Sequence, residues 1–254
     1  MLQNRVIPCL LIKDNKLVKT IKFKRPQYIG DPVNAIKIYN EKEVDELIVL
    51  DISIDRKVRG PNFDLIRQIA DECFMPVCYG GGISNIDQIQ QILKIGIEKI
   101  AVNTAIMPDA QLISDAAKKF GSQCMVVALD IKKNWLGKCK VTFHSGQCVI
   151  NTDIIEFVKK AEDAGAGEIL INNIDRDGTW EGFDLELISK ITSNVSIPVI
   201  VSGGAGHIDH IKDAITIGKA SGVAIGSMAV FQSKGMGVLI NFPKTILLEE
   251  INNL

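Results

Sequence analysis

A chain of 254 residues is long enough for two ordinary domains or for one large single-core α/β barrel, which needs about 250 residues. Its 46% hydrophobic and 23% charged residues, with a formal net charge of -1, describe a soluble globular protein and exclude a broad electrostatic pull toward nucleic acid or anionic membrane. Only a local basic patch would escape such an average.

In chain order, short runs rich in Val, Ile and Leu alternate with longer amphipathic stretches. Residues 5–11, 46–52, 75–79 and 98–103 read as strands, and so do 123–130, 167–173, 197–202 and 222–227. A long loop carrying Lys19 follows the first of them. "DPVNAIKIYNEKEV" then repeats its apolar residues at helical spacing behind an Asp-Pro start, and "NIDQIQQILKIG" does so between Asn and Gly. Strand then helix, eight times over, implies parallel strands joined by crossovers. No apolar run reaches the roughly 18 residues of a spanning helix, and the amino terminus lacks the features of a signal peptide, so a cytoplasmic protein is expected. The six cysteines include no C-x-x-C pair and are read as reduced thiols filling core space. His207 and His210 stand three apart at a helix start without a third ligand, which makes them surface residues rather than a metal site.

A doubly wound sheet would satisfy the same alternation, and self-similarity separates the two architectures. "MPVCYGGGI" at 75–83 parallels "IPVIVSGGAG" at 197–206, and "DELIVLDI" at 45–52 parallels "GEILINNI" at 167–174. "KIAVNT" at 99–104 matches "GVAIGS" at 222–227, and "CLLIK" at 9–13 matches "ALDIK" at 128–132. Four strands repeated at half the chain length predict a single (β/α)8 TIM barrel over 1–254, built from half-barrels of about 1–120 and 121–254, because each half leaves two open edges that the other closes.

Barrel strands deliver their carboxyl ends to one face, where the connecting loops build the site. Two of those ends are glycine-rich: Gly81 and Gly82 after the third strand, and Gly203 and Gly204 after the seventh. Neighbouring strands finish in Asn103 and Thr104, and in Gly226 and Ser227. Such loops either permit tight turns or offer backbone N–H groups to an anion at a helix start. A symmetric pair of them, with Gly178 added after the sixth strand, predicts two phosphate cradles and a bis-phosphorylated substrate. Asp51 ends the second strand, Asp130 the fifth, and Asp175 and Asp177 follow the sixth. These carboxylates either move protons or cap helices. With Lys19, these carboxylates are candidate site residues at the mouth. At the opposite rim Arg5, Glu46, Lys99 and Glu168 open the first, second, fourth and sixth strands. They are either solvated rim charges or a ring of ion pairs over the axis.

"RVIPCL", "GDPV", "DELIVLDI", "GGGI", "VNTA", "FGSQ", "GAGEI", "IDRDGT" and "SGGAG" together make the chain resemble the cyclase subunit of imidazole glycerol phosphate synthase, over essentially its whole length. The resemblance implies a heterodimer with a glutaminase subunit of the class I amidotransferase type. Ammonia released there would enter the barrel through a gate formed by Arg5, Glu46, Lys99 and Glu168. At the far mouth it would convert a ribulosyl aminoimidazole carboxamide ribotide to imidazole glycerol phosphate and aminoimidazole carboxamide ribotide. Neither a metal nor an organic cofactor is implied, and neither a nucleic acid nor a membrane partner is expected.

The departures from that pattern are specific. The family's two catalytic aspartates correspond to Asp130 and to position 11, which is Leu11. Arg56, Lys57 and Arg59 crowd the loop after the second strand, and Asn172 and Asn173 stand where the family shows small hydroxyl residues. Two readings stay open: a synthase subunit with reduced cyclase activity, or a paralogue that channels ammonia toward acetamidino modification of a surface-polysaccharide sugar. A non-catalytic activator of the glutaminase is a third.

Overall fold

The computed structural model describes residues 4–53, 59–106 and 110–243. The chain opens with three strands, β1 (Arg5–Lys13), β2 (Lys16–Ile21) and β3 (Lys24–Gly30), before helix α1 (Pro32–Glu41). Next come β4 (Leu47–Asp51), α2 (Phe63–Glu72), β5 (Val77–Gly80), α3 (Ile86–Ile95), β6 (Lys99–Val102) and α4 (Gln111–Phe120). The second half repeats the scheme with β7 (Met125–Lys133), β8 (Cys139–Phe143), β9 (Cys148–Val149) and α5 (Ile154–Asp163). It ends with β10 (Glu168–Asn173), α6 (Leu185–Thr192), β11 (Val199–Ser202), α7 (Ile208–Thr216), β12 (Gly222–Ile225) and the short α8 (Ser227–Val230).

Eight strands pair in the closed order β1-β4-β5-β6-β7-β10-β11-β12 and back to β1, and every pairing in that ring is parallel. This is a (β/α)8 barrel. β1 and β7 each continue beyond it into an antiparallel extension, β2–β3 on one and β8–β9 on the other. The expected long first loop is therefore a strand pair, and Lys19 sits on β2. Asp130 does not end its strand either, since β7 runs three residues further into its extension.

Helix starts carry the chemistry their sequence promised. Asp31, Asn62, Asn85, Asp153 and Asp184 each accept a hydrogen bond from a backbone N–H of the first turn, and Pro32 begins α1 where no donor is needed. α3 stops at Gly96, whose φ of 116° suits a residue without a Cβ. His207 caps α7 in the same manner and is exposed, whereas His210 is half-buried and its Nδ1 has no hydrogen-bond partner among the described residues. The surface expectation therefore fails for His210, because the turn at Gly182 packs against its ring.

Strand alternation divides the core into two shells. On β1, Val6, Leu10 and Ile12 face the helices while Ile7 and Cys9 face the lumen; on β7, Met125, Val127, Leu129 and Ile131 face outward while Val126 and Ala128 face inward. The lumen is completed by Ile48, Cys78, Ala101, Leu170, Ile200 and Ala224, a small apolar set suited to a narrow axis. All six cysteines are free thiols.

The shell is also tied from first helix to last. Tyr39, fully buried on α1, donates its hydroxyl to the carbonyl of Ala229 on α8 at 2.8 Å. The same carbonyl also accepts from the Asn241 N–H at 2.8 Å, so Tyr39→Phe removes one hydrogen bond without stranding its acceptor and is expected to lower unfolding stability by about 0.5–1.5 kcal/mol, measurable by urea titration against the parent chain.

Candidate active site

The lumen is closed at the amino-terminal rim by charge. Arg5 opens β1, Glu46 immediately precedes β4, Lys99 opens β6 and Glu168 opens β10, so cation and anion alternate around the ring of strands. Arg5 Nη1 lies 2.7 Å from Glu46 Oε2 and 2.9 Å from Glu168 Oε1. Lys99 Nζ lies 2.7 Å from Glu46 Oε1 and 3.1 Å from Glu168 Oε2. Each cation thus bridges both glutamates, and the four side chains form one closed circuit. Burial by itself would lower the Arg5 pKa, but the charges of Glu168 and then Glu46 outweigh it and raise the value.

Above this ring lies the apolar lumen, and above that the carboxyl-terminal mouth. β1 and β7 stand four strands apart in either direction around the barrel, hence on opposite walls. Leu11 is two residues beyond lumen-facing Cys9, and Asp130 two beyond lumen-facing Ala128, so alternation points both into the mouth. Leu11 is buried beside Leu50 and Val18 in register and belongs to neither apolar cluster of the core.

Asp130 is also buried, and it is held on both sides. Asn172, its register partner on β10, donates from Nδ2 to Oδ1 at 3.2 Å, and the Asn103 amide, which also donates to the carbonyl of Ala128 at 2.8 Å, is a further hydrogen-bond partner. Burial pushes the Asp130 carboxyl up to about 7; the two amides restrain the rise and the charge of Asp177 adds to it. A group poised near neutrality can take or give a proton at little free-energy difference.

The two glycine-rich ends differ. Gly203, Gly204, Gly226 and Ser227 line a shallow recess together with Gly178, Ser202, Lys19 and Asp177. A Cβ on Gly226 would come within 2.6 Å of Lys19 Nζ, so the missing side chain there is what lets the ammonium reach the recess. Lys19 in turn lies 3.1 Å from Asp177 Oδ1, with both side chains buried. Asp177 also accepts from the Thr20 hydroxyl at 2.8 Å and the Phe23 N–H at 3.3 Å, which fastens the β2–β3 extension across the mouth. At the other end Gly81 packs on Asp51, where a Cβ would meet the Asp51 carbonyl oxygen at 2.6 Å. Asp51 accepts from the Ser53 N–H, and the Thr104 hydroxyl donates to Asn103 Oδ1 at 3.2 Å. Gly82 lies in the same turn. Both helices after the glycine loops begin several residues later, at Ile86 and Ile208, behind Asn85 and His207. An anion would therefore meet loop N–H groups before the helix termini themselves.

The candidate residues placed above lie at one of the two ends of the barrel axis, and Arg56 and Lys57 lie outside the described residues. Sequence reasoning missed Thr20, Ser202 and the hold of Asn172 on Asp130. The last was available in principle, because β7 and β10 are the fifth and sixth strands of the barrel and consecutive strands lie side by side.

Comparison with known proteins places the chain in a family. The family described as histidine biosynthesis protein matches residues 5–234. A Pseudomonas aeruginosa protein named "Putative imidazole glycerol phosphate synthase subunit hisF2" is 49% identical over 243 residues, covering 96% of this chain and 97% of its own. Similarly named proteins from Leptospira borgpetersenii and Vibrio vulnificus, the latter hisF3, are 48% and 46% identical over 244 residues, covering 96% of this chain and 96% and 94% of their own. With the family match spanning nearly the whole barrel and full-length relatives close to half identical, the chain belongs to the histidine biosynthesis protein family.

Proposed function

We propose that this chain is the ammonia-accepting barrel subunit of an imidazole glycerol phosphate synthase-type glutamine amidotransferase, with its ring-closing chemistry weakened by Leu11. The observation that carries this reading is axial: a closed circuit of Arg5, Glu46, Lys99 and Glu168, an apolar lumen above it, and one buried carboxylate, Asp130, where the lumen opens. Ammonia is a nucleophile only while unprotonated, and in water near neutral pH most of it is ammonium. Both glutamates of the ring already hold cations, and an apolar passage disfavours any charge, so neutral ammonia passes at lower cost than ammonium. A glutaminase seated on the amino-terminal rim would supply ammonia there, and opening one pair of the circuit would admit it.

At the mouth the Lys19 recess holds one phosphate of the substrate, and the turn around Gly81, Gly82, Asn103 and Thr104 faces the other. Asp130 takes the proton released as ammonia adds. Converting the bis-phosphorylated ribotide into imidazole glycerol phosphate and aminoimidazole carboxamide ribotide also requires a proton to be given elsewhere in the same turnover. A single carboxylate must serve both needs in sequence, and Leu11 can serve neither.

Leu11 also favours a second reading, in which the conduit is kept and the acceptor is different, such as a surface-polysaccharide sugar gaining an acetamidino group. Both readings share the gate, the lumen and the partner. The histidine-pathway ribotide with excess ammonium at alkaline pH separates them: wild type should form imidazole glycerol phosphate roughly 10² to 10⁴ times more slowly than Leu11→Asp. Equal and efficient turnover by both would dismiss the weight placed on position 11. No product from either would leave the redirected acceptor.

Asp130 has its own signature. Because its folded pKa is raised, the native state keeps a proton that the unfolded chain has released, so this contribution to stability is present at low pH and is lost as pH rises through about 7. Asp130→Asn should flatten the fall in unfolding free energy between pH 4 and 8, by roughly 4 kcal/mol at most. Turnover in the parent should rise with an apparent pKa near 7 and vanish in the variant; a stability slope unchanged by the substitution would refute the assignment.

A further inference from the structure

The β7–β8 extension ends in a turn that the protein builds for display. Asn134 Oδ1 accepts from the Leu136 and Lys138 N–H groups at 3.0 and 2.9 Å, and the Asn134 N–H donates to the Lys138 carbonyl at 2.9 Å. This small network fixes the backbone while leaving Trp135 91% and Leu136 58% exposed. Lys132, Lys133, Lys138 and Lys140 surround them, and residues 131–150 contain no Asp or Glu. Lys133 pairs with Asp184, and among the described residues Lys132 and Lys138 are in no salt bridge.

A second basic segment stands on the same face. Residues 15–30, the β2–β3 extension of β1, carry Lys16, Lys19, Lys22, Lys24 and Arg25 and again no acid, with Ile21 and Tyr28 exposed. One loop after β10 holds both units: Asp177 takes Thr20 and Phe23, while Asp175 accepts from the Lys133 N–H at 2.7 Å. The two extensions therefore gather basic residues and apolar tips without an acid of their own, in a chain whose net charge is -1, so the remainder, the aspartates of the mouth included, is acidic.

We propose that the two extensions dock the mouth side on an anionic membrane surface, with Trp135 and Leu136 entering the headgroup boundary and the exposed Lys16, Lys22, Lys24, Lys132 and Lys138 lying against lipid phosphates. Three observations favour lipid over a protein. The cations are nearly all lysine, a residue depleted from protein interfaces and enriched near anionic leaflets. Adjacent Trp and Leu at the tip of a hairpin form a convex apolar point, which enters a deformable medium without a matching socket. Lysine stems can lie along that apolar boundary while their ammonium groups stay at phosphate level. The inference holds whichever acceptor the mouth serves.

The test uses the full chain with vesicles of phosphatidylglycerol and phosphatidylcholine, and of phosphatidylcholine alone. Wild type should cosediment with the anionic vesicles only, with a blue shift in tryptophan emission, and should be released as salt rises. Trp135→Ala with Leu136→Ala should weaken partitioning by roughly tenfold or more and abolish the shift. Phe74→Ala, which removes an equally exposed aromatic between α2 and β5 at the other rim, should change nothing. Absence of cosedimentation at low salt, or binding indifferent to the double substitution, overturns the proposal. So does a blue shift produced by concentrating the chain without lipid, by polyglutamate or by DNA while vesicles remain inert, outcomes that would assign the face to a second copy, an acidic protein or a nucleic acid.

Discussion

Eight parallel strands closed into one ring leave each strand side chain two destinations, the lumen or the helical shell, and give the lumen one polarity. Everything that distinguishes this molecule follows from that constraint. Residues at strand starts can meet only at the amino-terminal rim, so Arg5, Glu46, Lys99 and Glu168 complete one another although they are up to 163 residues apart in sequence. Residues at strand ends can meet only at the mouth, where Asp130, Leu11, Lys19 and the glycine turns gather. The small residues between them, three alanines and two cysteines among them, keep the two ends separate without filling the axis with bulk.

The lower ring is balanced in charge but poor as glue. Desolvating four ionised groups offsets most of what their attraction returns, so a packed apolar plug would serve stability as well. For the passage proposed above, the ions would provide a plug that can part and re-form: Arg5 and Lys99 keep 20% and 18% of their side-chain surface exposed, whereas Glu46 and Glu168 are at 5% and 10%. The cations thus have water at hand to replace a lost partner, and the glutamates do not. Movement of a lysine or arginine toward the rim is the cheaper way to open the circuit.

Much of this was legible in the sequence because repetition carries spatial information. Aligning "CLLIK" with "ALDIK" matched Leu11 with Asp130, whereas the division of Ile7 and Cys9 from Val6 and Leu10 was not legible, because all four are apolar in a strand buried on both faces. The extensions were not legible. β3 reads "KRPQYIG", and all but its last two residues are exposed, so no apolar period marks it as a strand. β9 is two residues long. Their stability comes from Asp177 and Asp175 in a loop more than a hundred and forty residues from β3, a tertiary cause that local pattern cannot express. The same holds for His210, whose ring is covered by a turn near residue 182.

Leu11 alters more than the count of proton donors. Two carboxylates across a narrow mouth would repel each other, and each would raise the pKa of the other. With leucine on one wall, Asp130 feels burial first and only the more distant negative charge of Asp177, which Lys19 already offsets. The mouth therefore carries less negative charge than a paired-acid mouth would, beside a recess that presents an ammonium and loop N–H groups. On the proposed reading, a phosphorylated substrate would meet less repulsion there, and it would meet one proton acceptor near neutrality instead of an acid and a base at fixed stations. Ring closure would then rest on Asp130 alone, and this is the weakening proposed above.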